Sequence, residues 1–299
     1  MKELSMPRLS FRIAASLTIA ACAAFITASA AAADALRLGV GLFQPDKEKN
    51  DATYRPLAQY LSEKLGRPVE LRTVDSWEGL AKSLANGETD IALMGPWGYV
   101  LANNQAGAQA VATILYDGKP TYHALVITHP NSGLNSLTDL KGHTFAFGDK
   151  GSTSGYLIPT HQLMKMGIDD PEKYFSKVIY TKHQAIETQV TRGELDAGAD
   201  YDRNRNAMIE QGLIKAADSK IIWTSAPLPN DAVAVSAELA KDSAMVAKLQ
   251  AALEQAGAAL KSNPALLPAH YSGFIKSDDK LYGGIRDAGL ATGKLQPRR

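Results

Sequence analysis

From Leu36 onward the chain alternates short β-type apolar runs with longer segments whose apolar positions recur every three or four residues. "LRLGVGLF" reads as a strand, "ATYRPLAQYLSEKLG" as a helix, "PVELRTV" as a strand, "SWEGLAKSLANG" as a helix and "DIALM" as a third strand. This βαβαβ order predicts a parallel sheet covered by helices, because a parallel crossover needs a helix-length connection. Gly66 and Gly87 follow the two helices and are predicted to close them in the left-handed conformation.

A second alternation begins near Leu137. "SLTDLKG" reads as a short helix, "HTFAFG" and "KVIYT" as strands, "HQAIETQVTRG" as a helix and "LDAGA" as a strand. Between the two alternations runs "YHALVITHP" (122–130), and after the second comes "KIIWTSAPLPNDAVAV" (220–235). Both are extended, apolar and punctuated by proline, and they are predicted to be two crossings between two lobes. The first lobe is expected to comprise 34–126 plus 226–299 and the second 127–225, with hinges near Val126 and Ser225. "AMVAKLQAALEQAGAAL" is an amphipathic helix predicted to close the first lobe, and the final "KLQPRR" reads as a disordered tail.

Residues 1–33 differ in kind. Lys2, Arg8 and Arg12 precede an alanine-rich apolar stretch that ends in small residues, the pattern of a cleaved export signal. Cys22 follows small residues as a lipid-modified cysteine would, but the next eleven residues are apolar or small, unlike a polar tether, so a soluble periplasmic chain is expected. Cys22 is the single cysteine, so the mature chain has no disulfide and no thiolate for catalysis or soft metals. Removing Lys2, Glu3, Arg8 and Arg12 changes 32 basic and 31 acidic residues to 29 and 30, a net charge of −1. Such a chain has no basic field to gather nucleic acid or anionic lipid.

The stretch "GDKGSTSGYLIP" (148–159) sets Ser152, Thr153 and Ser154 at the mouth of a predicted helix. A nucleophile elbow would need serine at the centre of Gly151 to Gly155, where Thr153 stands. A nucleotide phosphate loop would end in G-K-[ST], which is missing. What remains is a set of hydroxyl donors and unpaired backbone amides at a helix start, where the macrodipole adds roughly half a positive charge. That is an anion cradle without a committed cation. His183 opens the next βα unit, and Asp200, Tyr201 and Asp202 follow the next strand, so three polar clusters gather beyond the carboxyl ends of strands. Asp200, Asp202 and Asn204 mimic the start of a calcium loop, but Arg205 and Gln211 replace the glycine and glutamate it needs. From the first lobe, "MGPWGYVLA" offers Trp97 and Tyr99, and the first helix offers Tyr54.

Together these pieces resemble the periplasmic phosphonate-binding proteins of ABC importers, a group that also binds phosphite and related phosphorus oxyanions. The resemblance rests on "YRPLAQYLSEKLG", "GETDIALMGPWGYVLA", "SLTDLKGHTFAFGDKGSTSGYLIP", "KHQAIETQVTRGELDAGADYD" and "WTSAPLPNDAVAV", and spans roughly Leu36 to Leu267. It implies an α/β fold of two class II lobes, each a mostly parallel sheet flanked by helices, with ligand in the cleft. It further implies phosphoryl contacts from Ser152, Thr153, Ser154 and His183, aromatic contacts from Tyr54, Tyr99 and Trp97, and carboxylates Glu187 and Asp200 for any ammonium end of the ligand. The expected protein is a monomeric binding component that hands a small phosphorus oxyanion to an inner-membrane permease, with no catalysis, cofactor, metal or nucleic acid. The alternative is a binding protein that presents its closed form to a membrane sensor kinase.

Overall fold

The computed structural model describes residue 1 and residues 34–41, 43–44 and 46–297. Apart from residue 1, the predicted export signal, with Cys22, lies outside the described residues. Strand β1 (Leu36–Gly41) leads into α1 (Lys47–Leu65), β2 (Val69–Val74), α2 (Trp77–Ala85), β3 (Ile91–Met94), α3 (Pro96–Ala106) and β4 (Gln109–Tyr116). Next come β5 (Thr121–Tyr122), β6 (Ala124–Thr128), β7 (Thr144–Phe147), α4 (Ile158–Lys165), α5 (Pro171–Tyr174), β8 (Lys177–Tyr180), α6 (His183–Thr191), β9 (Ala197–Tyr201), α7 (Asp202–Glu210) and β10 (Lys220–Thr224). The chain returns through β11 (Leu228–Pro229) to β12 (Ala232–Val235), α8 (Ser243–Ala259), β13 (Tyr271–Lys276) and α9 (Gly283–Ala291).

Local chemistry sets the helix ends. Asp46 caps α1 by accepting the Lys49 amide, and Gly66 closes it at φ 65°. Ser76 caps α2 by accepting the Gly79 amide, and Gly87 follows its end at φ 72°.

One lobe is built on a six-stranded sheet of order β13-β4-β12-β3-β1-β2, the other on a five-stranded sheet of order β10-β6-β9-β7-β8. In the first sheet β12 and β13 run against the other strands; in the second, β6 alone does. The reversed β6 and β12 are the strands that the chain enters directly after crossing between sheets. Apolar alternation along β1 buries Leu36, Leu38 and Val40 against Leu57 and Leu61 of α1 and Leu253 of α8. The opposite face packs on α2, α3 and α9 through Leu80, Trp97 and Ile285. In the second sheet Phe145 and Phe147 pack against Tyr156 and Phe175 on one side, and Ala146 against Ile186 and Val190 of α6 on the other.

The crossings are shorter than the extended runs in the sequence. Val126 lies inside β6, paired with Ala199 on one side and Trp223 on the other, so the chain passes between sheets before Ala124 and not at Val126. The passage itself is the antiparallel β5/β11 ribbon, and below it Ser225 and Ala124 exchange hydrogen bonds of 2.9 and 3.0 Å. The predicted C-terminal tail is also partly packed: Leu295 is buried beside Trp97 and Gly289, because an apolar side chain after α9 gains more from that pocket than from water.

Gly198 of β9 shows how tightly the second sheet is filled, since a Cβ there would stand 2.3 Å from Ile186 Cγ2. Gly198→Val is expected to destabilise the protein by about 1–3 kcal/mol in denaturant unfolding, the usual range for overpacking; an unchanged midpoint would show that α6 can yield.

Candidate ligand-binding site

After β7 the chain reaches α4 through one wide turn over Thr153–Leu157, in which the Leu157 amide donates to the Ser152 carbonyl five residues back at 3.1 Å. Ser152, Thr153 and Ser154 are buried from bulk solvent, yet all three line a cavity of about 30 Å³. Ser152 Oγ accepts the Gly155 amide at 3.0 Å, and Thr153 Oγ1 accepts the Trp97 amide at 2.8 Å. A hydroxyl holds one proton and two lone pairs, so an oxygen anchored by an amide keeps its O–H available as a donor. Gly155 must lack a side chain, because a Cβ would stand 2.8 Å from His183 Cε1 and 2.9 Å from Gly148 Cα.

His183, the first residue of α6, places Nε2 3.2 Å from Ser152 Oγ and Nδ1 2.9 Å from Asp200 Oδ1. The carboxylate assigns the proton to Nδ1 and aims Nε2 at Ser152. Asp200, at the end of β9, is fully buried, and both its oxygens also accept from Asn204 Nδ2, at 3.0 and 2.9 Å. Behind it, buried Glu187 accepts Ser219 Oγ at 2.7 Å and lies 3.5 Å from Arg205 Nε, while its Oε2 has no hydrogen-bond partner among the described residues. Burial, then the Asp200 charge, push the Glu187 carboxyl up to about 8. At neutral pH Glu187 is therefore held in its neutral acid form beside Asp200.

The opposite wall contains a cation that the sequence reading lacked. Arg203, in the first turn of α7, has a side chain one-tenth exposed and lines the same cavity. Its guanidinium lies 4.7, 5.1 and 5.8 Å from the ring centres of Tyr122, Tyr116 and Tyr201, a cage of aromatic faces. Asp231, between β11 and β12, stands 3.5 Å away, and the pair is buried. Burial raises the Asp231 carboxyl despite the arginine beside it. Tyr122, Tyr201, Phe43 and Trp77 complete the wall, and Phe43 meets Trp77 edge-on at 4.7 Å.

The lobes are closed over this cavity. Glu78 N–H donates to Asp149 Oδ1 at 3.2 Å, Trp97 Nε1 to the Lys150 carbonyl at 3.1 Å, and Gln184 Nε2 to the Phe43 carbonyl at 3.4 Å.

Of the expected contact residues, Ser152, Thr153, Ser154 and His183 share the cavity, with Asp200 directly behind His183. Tyr54 is buried, its hydroxyl 3.4 Å from that of Tyr271, and lines a neighbouring cavity of about 290 Å³ that shares Phe43, Tyr201, Arg203 and Asp231 with the first. Tyr99 does not reach the cavity; it stacks on Tyr282 at 4.8 Å and bonds Asp279, because α3 turns that face towards α9. The Trp97 side chain likewise packs on Gly289 of α9, and its backbone amide is what meets the site. Glu187 points away from the cavity and acts behind Asp200. Arg203, Asp231, Tyr122, Phe43 and Trp77 went unread as contacts, although "DYDRNRN" and "PLPNDAVAV" already marked the segments that hold the first two.

Two α/β lobes joined by two crossings, closed on a polar cavity at the carboxyl ends of the strands, define a class II solute-binding protein. The chain belongs to a particular family of that class: the family model described as "ABC transporter, phosphonate, periplasmic substrate-binding protein" matches residues 42–282. It is similar to the phosphate-import protein PhnD of Mycolicibacterium smegmatis, 29% identical over 185 residues that cover 58% of each chain. It is also similar to the phosphonates-binding periplasmic protein of Escherichia coli, 27% identical over 203 residues, 66% of this chain and 60% of that one. These alignments thus span about three-fifths of those relatives' lengths. A binding protein component of an ABC phosphonate transporter from Pseudomonas aeruginosa shares the fold with a TM-score of 0.77 at 24% identity, covering 87% of each chain.

Glu187 couples the site to pH. Its folded value lies above the ordinary 4.5, so its contribution to stability is fully present below about pH 4.5 and is lost as pH rises towards about 8. Glu187→Gln keeps the shape of the side chain and removes its titration, and its melting temperature is expected to fall less steeply than the parent's between pH 5 and 8. The difference amounts to at most about 1.4 kcal/mol per pH unit for one proton. Parallel melting profiles would place the proton elsewhere.

Proposed function

We propose that this protein is the periplasmic binding component of an ABC importer for a small phosphorus oxyanion. The observation that carries the reading is the set of donors around one cavity: the Trp97 amide holds Thr153 by its oxygen and leaves its O–H able to donate, Ser154 lines the same wall, and Arg203 stands opposite. An oxyanion seated there receives several charge-assisted hydrogen bonds in a water-poor enclosure, where each counts for more than in solution. Ser152, His183 and Asp200 follow the order of nucleophile, base and orienting acid. The family model that matches this chain is one of periplasmic substrate-binding proteins, and we assign the trio to holding ligand without turnover.

The partner that receives the ligand is an inner-membrane permease, and the chain works as a monomer exported by residues 1–33. The absence of net basic charge in the mature chain argues against nucleic acid. The lobes move about the β5/β11 ribbon, with boundaries near 116–124 and 225–231 in place of Val126.

Titration calorimetry with methylphosphonate, phosphite and phosphate tests the ligand class. Thr153→Ala and Ser154→Ala are each expected to weaken the best of these at least tenfold, about 1.5 kcal/mol or more for a hydrogen bond to a charge. Unchanged affinity in both variants would remove the cradle. Closure has its own probe at Gly151, where a Cβ would stand 2.4 Å from the Glu78 backbone nitrogen across the cleft. Gly151→Ala is expected to keep the lobes apart, giving a larger radius of gyration with ligand bound than the parent shows. Superimposable scattering curves would contradict this.

A further inference from the structure

We infer that Arg203 and Asp231 together read the protonation state of the ligand, so that the site selects an oxyanion that still carries one O–H over a fully deprotonated isostere such as a sulfonate. The inference rests on the proposed oxyanion function and names the residues that would set its specificity.

Arg203 is nine-tenths buried, and its Nε has no hydrogen-bond partner among the described residues. Its Nη2 lies 3.5 Å from Asp231 Oδ2, too long for a firm hydrogen bond. A buried group with five donors and so few partners is costly, and an anion oxygen in the adjoining cavity would satisfy it. The Tyr122, Tyr116 and Tyr201 rings pack around the guanidinium.

Asp231 is the complementary half. A Cβ built on Gly95 would lie 3.6 Å from Thr153 Oγ1 and 3.9 Å from Asp231 Oδ1, so the carboxylate oxygen flanks the hydroxyl cradle. An oxyanion seated on Ser152 to Ser154 presents one oxygen towards Arg203 and another towards Asp231. If that second oxygen carries a proton it donates to the carboxylate; if not, two negative oxygens face each other in a dry cavity. A buried carboxylate left against an unprotonated anion is the repulsive element that specificity requires.

The surroundings of Asp231 do not titrate in its place. Facing it are Arg203 from α7 and the phenols of Tyr54, Tyr122, Tyr201, Tyr271 and Tyr282, all pushed up from their ordinary values chiefly by burial. His183 faces Ser152 and Asp200 instead.

Calorimetry with methylphosphonate and methanesulfonate, which share shape but not the second ionisable oxygen, tests the idea. The parent protein is expected to prefer methylphosphonate at least 100-fold, and Asp231→Asn to reduce that ratio below tenfold by gaining sulfonate affinity. Arg203→Met is expected to weaken both ligands at least tenfold. A ratio in Asp231→Asn equal to the parent's would overturn the inference. A second measurement needs no variant: parent affinity for phosphite and for methylphosphonate should fall with rising pH at two different points, each following that ligand's own loss of its second proton. A fall at one common pH, or none, would assign the effect to a protein group and also overturn it. If the parent binds no phosphorus oxyanion at all, the functional reading fails first and this inference with it.

Discussion

The hydrogen bond from the Trp97 amide to Thr153 Oγ1 joins the two lobes and at the same time fixes the threonine hydroxyl in the cavity wall. Each half of that description depends on the other. The amide is free because it lies in the first turn of α3, where no carbonyl precedes it in the helix. The hydroxyl reaches it because the wide turn before α4 lifts Thr153 out of the regular helical surface. Closure of the lobes and formation of the anion site are therefore one event, which suits a protein that must hold ligand when closed and release it when opened.

Around that bond the buried charges are arranged in compensated sets. Burial and the Asp200 charge hold Glu187 neutral, while Asp200 is hydrogen-bonded to His183 and Asn204. Arg203 and Asp231 neutralise one another only loosely, at 3.5 Å, which leaves donors on one and an acceptor on the other facing the cavity. A buried ion pair of this kind adds little stability by itself, because desolvation offsets most of the attraction. Its retention at the cleft points to recognition, where a fixed pattern of donors and acceptors matters more than net energy.

Much of the architecture was legible because it is local. Strand alternation, helix caps at Asp46 and Ser76, the closing glycine Gly66 and the run of three hydroxyls each follow from a few neighbouring residues. Misreadings arose where a residue's role depends on which way a helix rolls. Trp97 and Tyr99 sit on the expected helix, but packing against the α9 side turns both side chains away from the cavity. The hinge was read too late for a related reason: β6 is as apolar as a linker between lobes, yet it pairs with two strands that come some 70 to 100 residues later.

The sequence by itself determined the two α/β lobes, the anion cradle at Ser152 to Ser154 and the partnership of that cradle with His183, because periodicity, capping and strand-end placement are properties of short segments. Tertiary structure alone decided that Arg203 and Asp231, 28 positions apart and unremarkable in their own segments, would meet across the cavity. It also decided that Glu187 would serve behind Asp200 and not on the ligand. Charge placement of that sort is set by how two lobes close on each other, and no periodicity along one strand or helix encodes it.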